Sequence, residues 1–179
     1  AAFGAAVALA TTAFAQQRMF FGVATGGTGG TYYPLGGMLA QLISNKAVVD
    51  GKKISATAEA GGASVANVKL LGNKDIESAF VAADILDAAY NGKGQFNGAA
   101  IKNVRALGAL YPETVQLITR ADSGINSVKD LKGKAIPSGS TGSGQYQLLT
   151  DLLQVHGMTR NDVKEDLSSF TQAVDKIKD

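Results

Sequence analysis

Three glycine-rich segments divide this chain, and each lies between a run typical of a β-strand and a pattern typical of an α-helix. They are residues 26–31, 61–64 and 138–144. Glycine lets the backbone turn sharply enough to join a strand directly to the next helix. Strands that alternate with helices form a mainly parallel sheet. The sequence therefore predicts an α/β fold.

Hydrophobic periodicity places the elements around these turns. Strands are predicted at residues 19–24, 54–59, 76–81, 104–110, 115–120, 134–137 and 167–170. Helices are predicted at residues 31–45, 64–72 and 83–90, between the third glycine-rich segment and Gly157, and at residues 171–178. Thr31, Ser64 and Asp84 are the predicted N-caps of the first three helices. Ser127 and Asp130 have the spacing of a capping box, which predicts a single capped turn.

The N-terminus resembles a secretory leader. Residues 1–10 are apolar and rich in alanine, and Ala13, Phe14 and Ala15 form an A-x-A cleavage pattern. The stretch is shorter than the roughly 20 residues that a transmembrane helix needs. An alanine-rich first helix of the fold is the alternative. We expect residues 1–15 to be the remnant of a cleaved signal peptide, which would place the protein in the periplasm or another extracytoplasmic space.

Composition argues against several classes of function. The formal net charge is +2 and the charges are interspersed, which does not favour a nucleic-acid partner. The chain has no cysteine and one histidine, His156, which follows a predicted helix far from the glycine-rich segments. The first segment matches neither the phosphate-binding pattern G-x-x-x-x-G-K-[ST] nor G-x-G-x-x-G. No catalytic residue, metal site or cofactor is therefore predicted.

The glycine-rich segments are the candidate ligand site. Ligands of open α/β sheets lie at the carboxyl ends of the strands, where helix N-termini offer unpaired N–H groups to anions. Hydroxyl groups add further donors, from Thr28, Thr31, Ser64, Thr141 and Ser143. Each segment alone could be an ordinary turn with a capping hydroxyl. Three at equivalent places favour a site for a small anion.

Three residues outside these segments are further candidates for the site. Asp84 either caps its helix or contacts the ligand. Arg120 either pairs with a ligand carboxylate or is simply exposed to solvent. Tyr111 is a candidate wall of the pocket, because its ring and hydroxyl suit an amphipathic ligand.

The run GGTGGTYYPLGG at residues 26–37 is similar to the opening signature of the TAXI proteins, the extracytoplasmic solute receptors of one branch of the TRAP transporters. The similarity continues at residues 58–67, 79–84, 109–113 and 120–125. The segment SVKDLKGK at residues 127–134 resembles the start of the second lobe in periplasmic binding proteins.

This resemblance implies a type II periplasmic-binding-protein fold, in which two α/β lobes with mainly parallel sheets close on a ligand. Residues 16–120 would form the first lobe and residues 121–179 an incomplete second lobe. The ligand would be a small carboxylate or a glutamate-like amino acid, passed to the membrane permease of a TRAP transporter. Carried over by position, the ligand-binding residues are Thr28, Gly29, Gly30, Thr31, Tyr32, Gly62, Ala63, Ser64, Val81, Ala82, Asp84, Tyr111, Thr141, Gly142, Ser143 and Gly144.

Two other functions remain open from the residues alone. An α/β enzyme could use the hydroxyl-rich loops, although the sequence offers no base beside Ser64, Thr141 or Ser143. A surface antigen or adhesion domain could use the fold only as a scaffold. The chain also stops in a helical pattern without a closing strand, from which we expect the protein to continue past Asp179.

Overall fold

The computed structural model describes residues 19–178, so the predicted signal peptide lies outside the described residues. The chain forms two sheets, each with its own helices and its own apolar core. Across this range no helix is long and apolar enough to cross a membrane. The α/β class with mainly parallel pairing is confirmed.

The first sheet has four strands in the order β2-β3-β1-β4. Their bounds are Met19–Ala24 for β1, Val48–Val49 for β2, Lys52–Glu59 for β3 and Ser78–Ala79 for β4. Strand β1 is parallel to both β3 and β4, and β2 joins β3 at the edge in antiparallel pairing. Ala24 pairs with Glu59 on one side and with Ala79 on the other. The carboxyl ends of the three parallel strands therefore lie at one edge of the sheet.

Three helices complete this part of the chain, which we call the first sheet unit: Tyr32–Lys46 (α1), Ser64–Asn73 (α2) and Ala83–Asn91 (α3). Helix α1 packs on the sheet over the buried side chains of Val23, Ala40 and Phe80. A second cluster of buried side chains joins α2 to α3, and its larger members include Val68 and Ile85.

The second sheet unit is smaller. It contains the parallel strands Ala135–Pro137 (β5) and Lys164–Asp166 (β6) and the helices Gly144–Val155 (α4) and Phe170–Lys178 (α5). Its core is built from Leu131, Ile136, Leu149, Leu153, Met158 and Val163. The 3₁₀ turn Val128–Leu131 begins with the capping box that the sequence predicts between Ser127 and Asp130.

Several predicted strands are wrong. Residues 104–110 and 115–120 form no strand, and most of their large apolar side chains, such as Leu107 and Ile118, are exposed. A strand-like run of residues becomes a strand only where another strand accepts its backbone hydrogen bonds, and none of the described strands does so here. The predicted strand at residues 167–170 is also wrong, because β5 pairs with residues 164–166 and Phe170 begins α5.

Candidate ligand-binding cleft

The three glycine-rich segments meet in one cleft of about 330 Å³ between the two sheet units. The start of α5 forms its remaining wall. The lining residues are Gly27, Thr28, Gly29, Gly30, Gly61, Gly62, Ala63, Gly139, Ser140, Ser143, Gln145, Leu167, Ser169, Phe170, Thr171 and Gln172. All of these carry neutral side chains or none, so the polar groups facing the cleft are backbone amides, hydroxyls and carboxamides.

The first glycine-rich segment is held at the end of β1 by Thr25. This residue is fully buried, and both its backbone N–H and its hydroxyl donate to the carbonyl of Glu59, at 2.9 and 2.8 Å. The Gly30 N–H donates to the Gly27 carbonyl and closes the tip of the loop. Thr31 stands at the N-cap position of α1, but its side chain makes no capping hydrogen bond. The predicted N-cap position of Thr31 is therefore confirmed, but its hydroxyl does not cap the helix.

The second segment turns sharply into α2. Ala63 is the N-cap residue and has a φ of +62°, a conformation that strains any residue with a Cβ. Ser64 is already helical, so its predicted role as a cap is wrong. Its buried hydroxyl instead accepts the Ala82 N–H at 3.0 Å. Ser64 therefore joins the second segment to the loop that follows β4.

The third segment contacts the first sheet unit directly. The Gly142 carbonyl accepts the N–H groups of both Val65 and Ala66, each at 3.1 Å. Both N–H groups belong to the first turn of α2. The sequence predicted that such N–H groups would bind the ligand. Ser143 caps α4 by accepting the Tyr146 N–H at 3.1 Å. In this conformation the N-terminus of α2 therefore binds the other half of the cleft.

Helix α5, which the sequence predicts, also forms a wall of the cleft, which the sequence did not predict. A Cβ at Gly29 would overlap with the Thr171 hydroxyl, and one at Gly30 would touch the Phe170 ring at 3.5 Å. The first turn of α5 therefore packs on the first glycine-rich segment. One signal was present in the sequence: Ser169 and Gln172 have capping-box spacing, and each bonds the other's backbone N–H.

Six of the predicted ligand-binding residues line the cleft, namely Thr28, Gly29, Gly30, Gly62, Ala63 and Ser143. The other ten lie outside its lining: Thr31, Tyr32, Ser64, Val81, Ala82, Asp84, Tyr111, Thr141, Gly142 and Gly144. Asp84 faces a separate cavity of about 230 Å³ with Gln147 and Asp151 of α4. It is not a cap either, because Ala82 is the N-cap residue of α3.

Two of the predicted site residues, Tyr32 and Tyr111, share one hydrogen-bond acceptor. Glu113 accepts the hydroxyl of Tyr32 at 3.0 Å and that of Tyr111 at 3.4 Å. Burial raises the pKa of Tyr32 well above its ordinary value, and the neighbouring Glu113 carboxylate raises it further. Burial and Glu113 likewise raise the pKa of Tyr111. Both tyrosines therefore stay protonated as hydrogen-bond donors.

Arg120 is exposed and bonded within the protein. Its guanidinium forms a salt bridge with Asp122 at 3.0 Å and donates to the carbonyls of Ile177 and Lys178 at the end of α5. The hydrogen bond to Asp122 raises the pKa of Arg120. These contacts favour the reading of Arg120 as an exposed structural residue.

The third glycine-rich segment is positioned by an ionic network in the second sheet unit. The Arg160 guanidinium stacks on the Tyr146 ring at 3.7 Å and forms an ion pair with Glu165. Glu165 also accepts the hydroxyl of Ser138, the fully buried residue before Gly139, at 2.9 Å. The hydrogen bond from Arg160 lowers the pKa of the Glu165 carboxyl, and Ser138 lowers it further.

This network predicts a dependence of stability on pH. A carboxyl whose pKa is lowered by folding stabilises the protein fully above its ordinary value of 4.5, and that contribution disappears as the pH falls through the folded value. We expect Glu165→Gln to lower the free energy of unfolding by about 1–2 kcal/mol at pH 7. Urea titrations from pH 7 to pH 3 should show the two proteins converging in acid. A constant difference across this range would contradict the role of the Glu165 charge.

One comparison with known proteins identifies the family. A model described as the NMT1-like family matches residues 23–179, which include the whole cleft lining and both sheet units apart from the first four residues of β1. The chain belongs to the NMT1-like family. NMT1-like proteins are periplasmic solute-binding proteins, a class whose members bind small ligands and are typically extracytoplasmic. They are binding proteins, not enzymes. In the described part of this NMT1-like chain, no cluster of three or more His, Cys, Asp or Glu residues could hold a metal ion.

Proposed function

We propose that this NMT1-like protein is the extracytoplasmic receptor of a TAXI-type TRAP transporter. It binds a small carboxylate or a glutamate-like amino acid in the cleft and delivers it to a membrane permease. The observation that carries this proposal is the convergence of all three glycine-rich segments and the start of α5 around one cleft. Delivery to a TRAP permease rests on the sequence resemblance alone.

The polar groups of the cleft suit an anion. Its lining residues immediately precede or begin four helices, namely α1, α2, α4 and α5. The N-terminal ends of helices carry partial positive charge, and glycine lets a ligand approach them closely. At α2 the N–H groups of Val65 and Ala66 already bind the Gly142 carbonyl, so this helix contributes through its dipole. The volume of about 330 Å³ lies at the lower end of the range for ligand pockets and suits a small molecule.

We assign the two sheet units to the two proposed lobes, residues 16–120 and residues 121–179. The first sheet lies entirely within the first range and the second sheet within the second. The two hydrogen bonds that the Gly142 carbonyl accepts from the N-terminus of α2 join the two sheet units and support a closed arrangement. We also propose that residues 1–15 are a cleaved leader, which directs the export of the protein from the cytoplasm.

A thermal-shift panel tests the ligand class. We expect L-glutamate, glutarate or a related carboxylate to raise the melting temperature, since a ligand at a hundred times its Kd adds about 2.7 kcal/mol to the free energy of unfolding. Neutral sugars serve as the comparison set. If no carboxylate or amino acid in the panel shifts the melting temperature, the proposed ligand class is wrong.

A pair of glutamine variants locates the binding. Gln145 lines the cleft, whereas Gln41 is exposed on α1 and lies outside the lining. Gln145→Ala is expected to reduce the shift given by the best compound, and Gln41→Ala to leave it unchanged. Equal shifts in both variants would place binding elsewhere.

A further inference from the structure

We infer that Asn67 is the positioning residue of the cleft, because its side-chain amide ties the loops that follow β1 and β4 to the start of α2. The inference rests on the proposed function where it concerns ligand affinity. It concerns a residue that contacts no cleft surface and that acts through its neighbours.

Asn67 lies in the first turns of α2, directly after the second glycine-rich segment, and only 1% of its surface is exposed. Its Nδ2 atom donates to the carbonyl of Thr25 at 2.9 Å and to the carbonyl of Phe80 at 2.8 Å. Thr25 follows β1 and precedes the first glycine-rich segment. Phe80 follows β4 and precedes residues 81–82. One NH₂ group therefore connects α2 to the loops that leave β1 and β4.

This link extends the sheet beyond its last backbone pairs. The ladder between β1 and β4 ends where the Phe80 N–H donates to the Ala24 carbonyl. Beyond that point the Thr25 and Phe80 carbonyls accept the side-chain N–H groups of Asn67, where a continuing ladder would supply backbone N–H groups. An amide nitrogen carries two donors on one atom, and both are used here. Asp, Ser and Leu cannot supply this pair of donors at the same place.

The oxygen atom of the Asn67 side chain is a source of instability. The Oδ1 atom of Asn67 is buried without a hydrogen-bond partner, beside Gly61 of the second segment. An unsatisfied buried acceptor is destabilising, and an apolar side chain would avoid it. The two hydrogen bonds from Nδ2 offset the free-energy cost of the unsatisfied Oδ1 atom, which is consistent with a role of Asn67 in fixing the loops.

The closing experiment compares Asn67→Asp and Asn67→Ala with Val68→Ala. Val68 is the next residue of α2, is fully buried and belongs to the apolar cluster with α3. Asn67→Asp keeps the shape of the side chain but replaces the donor with an acceptor facing two carbonyls. Hydrogen exchange is measured for the amides of Gly30 and Ala82, whose N–H groups are hydrogen-bonded, at denaturant concentrations where the variants are equally stable.

We expect these amides to exchange at least tenfold faster in both Asn67 variants than in Val68→Ala. L-glutamate and glutarate are the binding probes, and the Kd of whichever binds the wild type is expected to rise at least tenfold in the Asn67 variants and less than twofold in Val68→Ala. Equal exchange and equal Kd values in all three variants would overturn the inference. If neither probe binds the wild type, the proposed ligand fails while the exchange pattern still decides the role of Asn67.

The wild type supplies a readout that does not depend on any variant folding. The side-chain NH₂ protons of Asn67 are expected to exchange with solvent at least a hundredfold more slowly than those of Asn126, whose residue is exposed. Similar exchange rates for the two side chains, measured by NMR, would show that the bonds to Thr25 and Phe80 do not persist and would overturn the inference.

Discussion

Replacing Gly36 with valine is expected to lower the free energy of unfolding by about 3 kcal/mol, the upper part of the usual range for overpacking a core. Gly36 is buried in α1, and a Cβ at this position would overlap with Cγ2 of Thr25 and lie 3.6 Å from both Ala58 and Phe80. Thr25 cannot easily move, because its hydroxyl bonds to the Glu59 carbonyl. The added atoms must therefore displace α1 from the end of β1.

Gly37 provides the matched control. It is the next residue of the same helix, it is exposed, and a Cβ there would meet nothing within 4 Å. Glycine in a helix interior is less favourable than alanine by about 1 kcal/mol, so Gly37→Ala should stabilise the protein slightly while Gly36→Ala destabilises it. Urea unfolding followed by circular dichroism measures all the variants. Equal effects at the two positions would contradict the close packing of α1 on Thr25.

The local features of this fold were predictable from sequence because short-range patterns determine them. Strand β1 begins and ends where its apolar run does, and the Ser127–Asp130 capping box forms as its spacing predicts. Side-chain roles were less predictable. Ser64 has the residue type and position of a cap, yet its hydroxyl bonds to Ala82, a contact that depends on how α2 and β4 meet.

Long-range features were the ones that sequence patterns missed. Residues 104–110 have the apolar composition of a strand, but pairing requires a neighbour that no local pattern specifies. The walls of the cleft show the same limit. The glycine-rich segments were recognised because each carries its own signal, whereas Phe170 and Thr171 join the site only through the packing of α5 against Gly29 and Gly30.

The contact between the third glycine-rich segment and α2 can be tested by a disulfide. A Cβ built at Gly142 lies 3.5 Å from the Cβ of Ala66, at the short end of the range of about 3.5–4.5 Å found in disulfides. The chain has no cysteine of its own, so only the introduced pair can react. Gly142 does not have a positive φ, so a side chain is tolerated there. The pair Ala66→Cys and Gly142→Cys would join the two sheet units.

We expect this pair to oxidise readily and to raise the free energy of unfolding by about 4 kcal/mol, because it closes a loop of about 75 residues in the unfolded chain. The control pair is Gly26→Cys with Ala63→Cys, whose Cβ atoms would lie 3.4 Å apart within the first sheet unit. Mass spectrometry and urea unfolding, with and without reductant, measure both pairs. If only the control pair forms, the Gly142 contact does not persist in solution. If both form, oxidation of the first pair is expected to slow the exchange of a bound carboxylate at least tenfold, because the cleft can no longer open.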